Sequence, residues 1–272
     1  MPYMPLNARN LYRNAQHKLR LLYRNIPYLI NGAPDGLPIP PLKLRKLIWS
    51  DSADIGMFLG GDQAQVIFDV LNQQGVNIDD FQAILDFGCG AGRVIRHFHH
   101  LTKAKLYGTD INAEQIDWCK RNLRFAEFEI NRSNPPLIYS DEQFDLIYSV
   151  SVFIHLPESQ QLMWIKDLSR VLRPGGYLLI TTCGEAYFER LTQEEKERFR
   201  CGQLIVRCEK LAGSPSMYAA CLAFHPVTYM TDKLAKGFEV IQFVPADPSR
   251  TGPQGDMDHY LLKKPVNAFN AT

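Results

Sequence analysis

Three glycines at alternate positions follow a short apolar run in the first half of the chain. The segment Ile84–Arg93 reads ILDFGCGAGR, with glycines at positions 88, 90 and 92. Glycine permits tight turns and leaves no side chain between the backbone and a ligand. A helix predicted after this turn, through His97, would present free N–H groups to a carboxylate. Because Asp86 would attract an ammonium group, the spacing predicts a site for an amino-acid moiety.

A second carboxylate, Asp110, lies 24 residues after Asp86, at the end of the next predicted strand, Lys105–Thr109. A carboxylate at this point of a βαβ unit can accept hydrogen bonds from both hydroxyls of a ribose. Ile111 beside it is placed to pack on an adenine ring. An adenosine with an amino-acid tail fits both parts, and S-adenosylmethionine is such a molecule.

Two other functions compete with this interpretation. Nicotinamide and flavin enzymes also use a glycine loop, with the spacing G-x-G-x-x-G. Here the spacing is G-x-G-x-G, and the charge of Asp86 would repel a pyrophosphate. A nicotinamide-dependent oxidoreductase is therefore a weaker alternative. The other alternative is a nucleic-acid or membrane-associated binding protein that keeps only a vestigial cofactor site.

Short apolar runs alternate with amphipathic segments from residue 82 onward, which predicts βαβ units and a parallel sheet covered on both faces. Before them, the pattern predicts a helix over Asn7–Asn25 and a Pro-rich linker over Pro27–Pro41. The remaining predicted elements are helices over Asp62–Gln74, from Asn112, over Glu158–Leu172 and near Thr192–Arg200, and strands over Ala83–Phe87, Phe144–Val150, Tyr177–Thr182, Phe238–Val244 and Met257–Leu262.

The first 50 residues are strongly basic, with eight Lys or Arg and one acid, Asp35. Such an arm can contact an anionic membrane, a nucleic acid or an acidic substrate, or can pack on the acidic body. We expect a basic arm and linker over 1–50, one domain over 51–265 and a tail over 266–272. Within the domain, 185–230 is expected to form an insert, either a lid over the substrate or a small core of its own.

Six cysteines are scattered without a CxxC pair, which argues against structural zinc and against a small disulfide scaffold. No apolar run approaches the roughly 20 residues that span a bilayer, and no secretory signal is recognised. A cytoplasmic protein without a metal site is the expectation. The sequence does not predict the oligomeric state.

Four segments in order resemble class I S-adenosylmethionine-dependent methyltransferases. Leu85–Arg93 looks like their signature loop and Tyr107–Ile111 like their ribose-binding strand end. Phe144–Pro157 and Leu172–Ile180 are similar to their fourth and fifth strands. The segment Leu37–Arg45, with Phe58–Gly61 after it, is also similar to the lead-in of bacterial enzymes that modify sugars or other small molecules. This resemblance implies that Gly60 or Gly61 closes over the amino-acid end of the cofactor.

The resemblance implies an α/β, Rossmann-like, doubly wound fold with a seven-stranded, mostly parallel sheet, a helical N-terminal arm and a lid insert before the last two strands. It also implies S-adenosylmethionine as cofactor. Many relatives carry an acid after the third strand, where this chain offers Asn131, Ser133 or Asn134. The cofactor contacts expected are Asp86, Gly88, Cys89, Gly90, Gly92, Arg93, Asp110, Ile111, Asn131, Ser149 and Val150.

Methyl transfer needs a base only when the acceptor must lose a proton. His155, just after the fourth strand, is the first candidate, since an imidazole titrates near neutral pH. His225 is the second. Tyr187, Met217, Tyr218 and Tyr229 line either a substrate cavity or the core of the insert. We expect a small-molecule acceptor, with O or N methylated, and not a nucleic acid.

Overall fold

Strands and helices alternate from residue 83, as the apolar runs predict. The structure is a computed structural model that describes residues 6–47, 54–208, 221–247 and 257–266. The strands are β1 (Ala83–Phe87), β2 (Lys105–Asp110), β3 (Ala126–Ile130), β4 (Phe144–Ser149), β5 (Leu172–Thr182), β6 (Ile205–Cys208), β7 (Cys221–Phe224), β8 (Glu239–Val244) and β9 (Asp258–Lys263).

Seven of these strands form one sheet with the order β3-β2-β1-β4-β5-β9-β8. Only β9 runs antiparallel to its neighbours, and the other pairings are parallel. The chain crosses from β3 back to β4 beside β1, so the carboxyl ends of β1 and β4 meet where the strand order reverses. In open α/β sheets, ligands bind at such a switch point. The predicted fold class is confirmed.

Helices cover both faces of the sheet. The helices α4 and α5 pack on one face in a cluster that includes Ile67, Ile84 and Ile116, and α6 packs on the other with Trp164 and Leu168. The α-helices are α1 (Leu6–Asn31), α2 (Leu42–Lys46), α3 (Ile55–Leu59), α4 (Asp62–Gln73), α5 (Ala113–Asn122), α6 (Glu158–Val171), α7 (Gln193–Arg200) and α8 (Val227–Tyr229).

The segment after the glycine loop is not the α-helix that the sequence predicts. Its only regular piece is a four-residue 3₁₀-helix, Ile95–Phe98. Gly92 has a φ of +77°, in the left-handed region, so an α-helix cannot run through it. The long helix N-terminus expected as a carboxylate seat is therefore absent from this segment.

Two predicted boundaries are also wrong. The helix α1 continues past Pro27 to Asn31, because a proline inside a helix removes only one backbone donor, and it ends at Gly32, whose φ is +76°. The helix α4 begins at Asp62 as predicted, and Gly61 holds the cap position without a side-chain bond. The strand predicted over Tyr177–Thr182 begins earlier, at Leu172, and its first part pairs with β4 at an irregular register.

The Pro-rich segment packs on the α/β domain and is held there by hydrogen bonds, so it is not a free linker. The buried guanidinium of Arg96 donates from Nε and one terminal nitrogen to the two carboxylate oxygens of Asp35, at 2.6 and 2.8 Å. Arg96 also donates to the carbonyls of Leu37 and Pro38. Farther along, the side chain of Gln115 on α5 donates to the carbonyl of Leu44. The domain boundary predicted near residue 50 lies outside the described residues.

The insert over 185–230 has a small core of its own. A 3₁₀-helix (Glu185–Arg190), α7 and the β6–β7 hairpin enclose Leu191, Phe199 and Ile205. Tyr187 packs against this cluster, whereas Tyr229 is buried in the main core. Met217 and Tyr218 lie outside the described residues. Cys208 and Cys221, directly opposed across the hairpin, form a disulfide that the cysteine spacing does not predict.

Candidate active site

The carboxylate of Asp86 is buried at the carboxyl end of β1, with 2% of its surface exposed. The backbone amide of Ile95 and the hydroxyl of Tyr148 both interact with this carboxylate, but among the described residues its Oδ2 atom has no partner that meets hydrogen-bond distance and angle. Burial raises the pKa of Asp86 to about 8; the Tyr148 hydroxyl and Arg93 oppose this shift, and the negative charge of Asp110 reinforces it. A buried carboxylate oxygen without a donor is costly, so this atom fits a cationic ligand such as an ammonium.

Asp110, at the end of β2, is hydrogen-bonded to the glycine loop. Its Oδ2 accepts from the Gly90 amide at 2.9 Å and its Oδ1 from the Asn112 amide at 2.8 Å. Burial raises the pKa of Asp110, and these two amides act against that shift. Each carboxylate oxygen retains a second lone pair, so both can still accept from ribose hydroxyls.

The path of the glycine loop is set by its neighbours in the protein. The amides of Gly88 and Cys89 both donate to the Thr109 carbonyl, at 2.8 and 3.0 Å. Gly88 has a φ of +85°, and a Cβ there would collide with the side chain of Val152. A Cβ at Gly92 would likewise collide with Leu123. The two glycines are thus required by backbone geometry and packing, besides any ligand.

Two further predicted contacts flank Asp86. The Cys89 thiol is buried, and its Sγ lies 3.6 Å from the Gly90 carbonyl. Burial lowers the pKa of the Arg93 guanidinium, and the negative charges of Asp86 and Asp62 act against that shift. Arg93 thus places a positive charge beside the loop, where it can meet the carboxylate of an amino-acid ligand.

Asn131 is the polar residue after β3 that lies against Asp110. Its backbone amide donates to the Asp110 carbonyl at 3.1 Å, and its side-chain oxygen lies 3.1 Å from the Thr109 hydroxyl. Asn134 instead contacts Gln160 on α6. Ile111 is 49% exposed and available to pack on a ligand.

The carboxyl end of β4 supplies the last predicted contacts. Ser149 and Val150 are buried, and Ser149 Oγ has no hydrogen-bond partner among the described residues. Ser151 follows with a φ of 62°, and its amide donates to the Thr181 hydroxyl on β5 at 2.8 Å. This contact joins the ends of β4 and β5.

The two predicted histidines lie in different surroundings. His155 is exposed, in a 3₁₀-helix after β4, with Nδ1 3.0 Å from the Cys221 carbonyl. His225 is fully buried, and its Nε2 lies 3.1 Å from Oε1 of Gln161. Because the Gln161 amide nitrogen donates to the carbonyls of Phe153 and Leu156, its oxygen is the acceptor and His225 Nε2 the donor. Burial lowers the pKa of His225 to about 3.

One polar contact near the site is absent from the sequence predictions. The buried ring of His259 on β9 lies opposite Thr181, and its Nε2 is 3.2 Å from Oε1 of Gln63 on α4. Burial lowers the pKa of His259 to about 4. The sequence offers one indication that Gln63 lies near the site, because Gln63 follows Gly61 by two residues. No group of three or more His, Cys, Asp or Glu within the described ranges is placed to hold a metal ion.

The fold is Rossmann-like, and the charges and turns of the site suit a nucleoside with an amino-acid tail. A methyltransferase domain family matches residues 84–176, which hold β1, the glycine loop, β2 and β4. Residues 84–176 are therefore similar to a methyltransferase domain.

Relatives and solved structures agree with this assignment. Methyltransferase GfsG of Streptomyces halstedii is 32% identical over 102 residues, 36% of this chain and 36% of that protein. A fatty-acid O-methyltransferase of Mycolicibacterium smegmatis is 29% identical over 106 residues, 38% of each chain. The matched segment thus covers less than two-fifths of either relative. An S-adenosylmethionine-dependent methyltransferase of Methanosarcina mazei has the same fold, with a TM-score of 0.52 at 20% identity over 72% of this chain and 98% of its own.

Proposed function

We propose that this protein transfers a methyl group from S-adenosylmethionine to an oxygen or nitrogen atom of a small-molecule acceptor. The observation that carries the proposal is the buried, unpartnered Oδ2 of Asp86 beside a glycine loop that is hydrogen-bonded to Asp110. One carboxylate suits the ammonium of the cofactor and the other its ribose. Both lie at the carboxyl ends of adjacent strands.

Different residues of the site would contact different parts of the cofactor. Asp86 would accept from the ammonium, Arg93 would pair with the carboxylate, and Asp110 would accept from the ribose hydroxyls. Ile111 would pack on the adenine, with Asn131 at its edge. When bound, the cofactor supplies a methyl group on a sulfonium, which is already activated for displacement.

The protein then has to hold an acceptor close to that methyl group and in line with it. Positioning of this kind can be worth roughly 7–11 kcal/mol of the barrier. The β4 and β5 ends, joined through Ser151 and Thr181, are the elements that we propose to face the acceptor. If the acceptor is a hydroxyl, His155 is the proposed base, because it is exposed and lies directly after β4.

His225 is proposed to position its neighbours instead of touching the acceptor. It is fully buried and donates to Gln161, which in turn donates to the carbonyls of Phe153 and Leu156 around His155. Its lowered pKa keeps the ring neutral at physiological pH. This arrangement would fix the loop that carries His155.

The acceptor is proposed to be a small apolar molecule that carries a carboxyl, hydroxyl or amine. The name of the M. smegmatis relative, a fatty-acid O-methyltransferase, supports this class. The test is to incubate the protein with S-adenosylmethionine labelled in the methyl group and a panel of fatty acids, sterols and amines. Extractable labelled product that disappears in Asp86→Asn supports the proposal. Label that enters no panel member, or equally with Asp86→Asn, contradicts it.

A further inference from the structure

The helix α1 carries a continuous apolar stripe on its solvent side. Fourteen large hydrophobic side chains are exposed in the described part of the chain, and six of them lie in one 12-residue stretch of α1. Their spacing of three or four residues puts them on one face. They are Leu19 (70% exposed), Leu22 (59%), Tyr23 (78%), Ile26 (40%), Leu29 (66%) and Ile30 (75%).

The opposite face of α1 holds the helix on the body. Arg24 pairs with Asp54 at 2.9 Å, and the Asn25 side chain accepts from the Ile55 amide at 2.8 Å. Tyr28 packs beside Gly56 on α3. The stripe therefore points away from the protein. Single exposed apolar residues are ordinary on a protein surface, but a contiguous stripe marks an interaction surface.

The charges of α1 indicate which partner would bind the stripe, a second copy of the chain or a lipid surface. The helix contains five Lys or Arg and no Asp or Glu, and Lys18 and Arg20 are exposed beside the stripe. If a second copy packed on the stripe, it would bring its own basic, acid-free helix against this one. An anionic lipid surface offers apolar chains and negative charge together, and each nearby Lys or Arg adds attraction to it.

We propose that α1 docks on an anionic lipid bilayer, with its apolar stripe in the interface and Lys18 and Arg20 toward the headgroups. At 26 residues the helix extends about 39 Å, and no described helix is long and apolar enough to cross a membrane. A long basic helix with one apolar face lies in the plane of the interface.

The docked helix is connected to the candidate cofactor site through α3 and α4. The helix α3, which α1 contacts, leads through Gly60 and Gly61 into α4, whose Asp62 faces Arg93 and whose Gln63 contacts His259. Access to an acceptor held in the lipid phase rests on the proposed methyl transfer. Lipid docking itself does not.

The test is co-sedimentation of the full chain with vesicles of phosphatidylcholine, with and without about one-third phosphatidylglycerol. We expect binding to the anionic vesicles, at least about tenfold weaker in Leu22→Glu/Ile26→Glu and again in Lys18→Gln/Arg20→Gln. The control is Ile138→Glu/Val266→Glu, which changes two apolar residues elsewhere that are more exposed than Leu22 and Ile26, and it should bind as the wild type does.

Three outcomes would overturn the proposal. One is wild-type protein that does not sediment with anionic vesicles, and another is equal binding by the wild type and Leu22→Glu/Ile26→Glu. The third is a wild-type dimer, measured by ultracentrifugation without lipid, that the same variant dissociates while vesicle binding is absent. Unchanged thermal unfolding and S-adenosylhomocysteine affinity of the variant would separate failure of docking from misfolding and from failure of the proposed function.

Discussion

The Gly90 amide donates a 2.9 Å hydrogen bond to Oδ2 of Asp110, which lies 20 residues farther along the chain. The contact joins the glycine loop after β1 to the acid at the end of β2. The two parts of the candidate cofactor site therefore form one unit. A change in either part should alter the shape of the loop as well as its contacts with a ligand.

Gly88→Ala is expected to impair both folding and cofactor binding. The alanine would be strained at a φ of +85°, and its Cβ would collide with Val152. We expect the free energy of unfolding to fall by roughly 2–4 kcal/mol and S-adenosylhomocysteine affinity to fall by at least about tenfold. Urea unfolding and calorimetry measure the two effects.

Gly75→Ala is the matched control, because Gly75 also has a positive φ, +69°, but no atom near its Cβ position. It should cost only about 1–2 kcal/mol from backbone strain and leave affinity unchanged. Equal losses of stability in the two variants would show that the contact with Val152 does not matter.

Cofactor affinity is expected to rise with pH because Asp86 must ionise to pair with an ammonium. With a pKa of about 8, this group is mostly protonated at pH 6 in the free protein. Binding should therefore release a proton, and affinity should rise by up to about tenfold per pH unit between about pH 6 and pH 7.5. Calorimetry in two buffers with different ionisation enthalpies measures the proton released.

Asp86→Asn tests the assignment of that proton. The variant should bind S-adenosylhomocysteine roughly tenfold or more weakly at pH 7.5 and without this pH dependence. Asp86→Asn should also have a higher free energy of unfolding than the ligand-free wild type. In the wild type, the folded-state pKa of Asp86 is raised above its unfolded value, so the free energy of unfolding falls as pH rises from about 4 to 8. A pH dependence that persists in Asp86→Asn would assign the proton to another group.

Asp35→Ala is expected to be one of the most destabilising single changes in the N-terminal region. Arg96 is fully buried, and Asp35 neutralises it with two hydrogen bonds. Breaking such a pair leaves a buried charge and costs roughly 3–5 kcal/mol. Replacing both residues, as Asp35→Ala/Arg96→Met, should recover much of the loss. Denaturant titration measures each variant.

Glu114→Ala supplies the comparison, because it breaks the exposed Lys43–Glu114 pair, which spans a similar separation along the chain. Its effect should stay below about 1 kcal/mol. Burial acts to raise the pKa of Asp35, but the bonds from Arg96 and Leu37 outweigh it and lower that pKa. The stabilisation should therefore persist above about pH 4 and be lost as pH falls below it. A loss for Asp35→Ala no larger than that for Glu114→Ala would contradict the assignment.

Replacing His225 and replacing His155 should have different effects on the free energy of unfolding and on kcat. His225→Ala leaves Gln161 Oε1 without its donor and creates a cavity, at a cost of roughly 2–4 kcal/mol. His155→Ala should cost less than about 1 kcal/mol because the residue is exposed. If the acceptor is a hydroxyl, His155→Ala should lower kcat by roughly a hundredfold or more without changing cofactor affinity. An unchanged kcat would exclude His155 as the base.

The sequence predicts the sheet because buried parallel strands are continuous apolar runs. Ala83–Phe87 and Phe144–Ser149 lie in the structure almost where the pattern puts them. The candidate site is predictable for the same reason, since its acids and glycines directly follow such strands.

The parts that the sequence misses depend on contacts between distant residues. Nothing near Asp35 in the chain indicates that it neutralises Arg96, 61 residues away. The pairing of Gln63 with His259 spans 196 residues. The helix predicted through His97 is replaced by turns and a 3₁₀-helix, in which the His97 amide donates to the Val94 carbonyl three residues earlier.

The most direct test is calorimetric titration of the purified chain with S-adenosylhomocysteine, using the wild type, Asp110→Asn and, as a control, the exposed Asp117→Asn on α5. Asp110→Asn keeps one side-chain oxygen but loses the charge that would accept the ribose hydroxyls. We expect micromolar binding by the wild type and Asp117→Asn, and binding at least about tenfold weaker by Asp110→Asn. Absence of wild-type binding, or equal binding by all three proteins, would contradict the cofactor site assigned to Asp86 and Asp110.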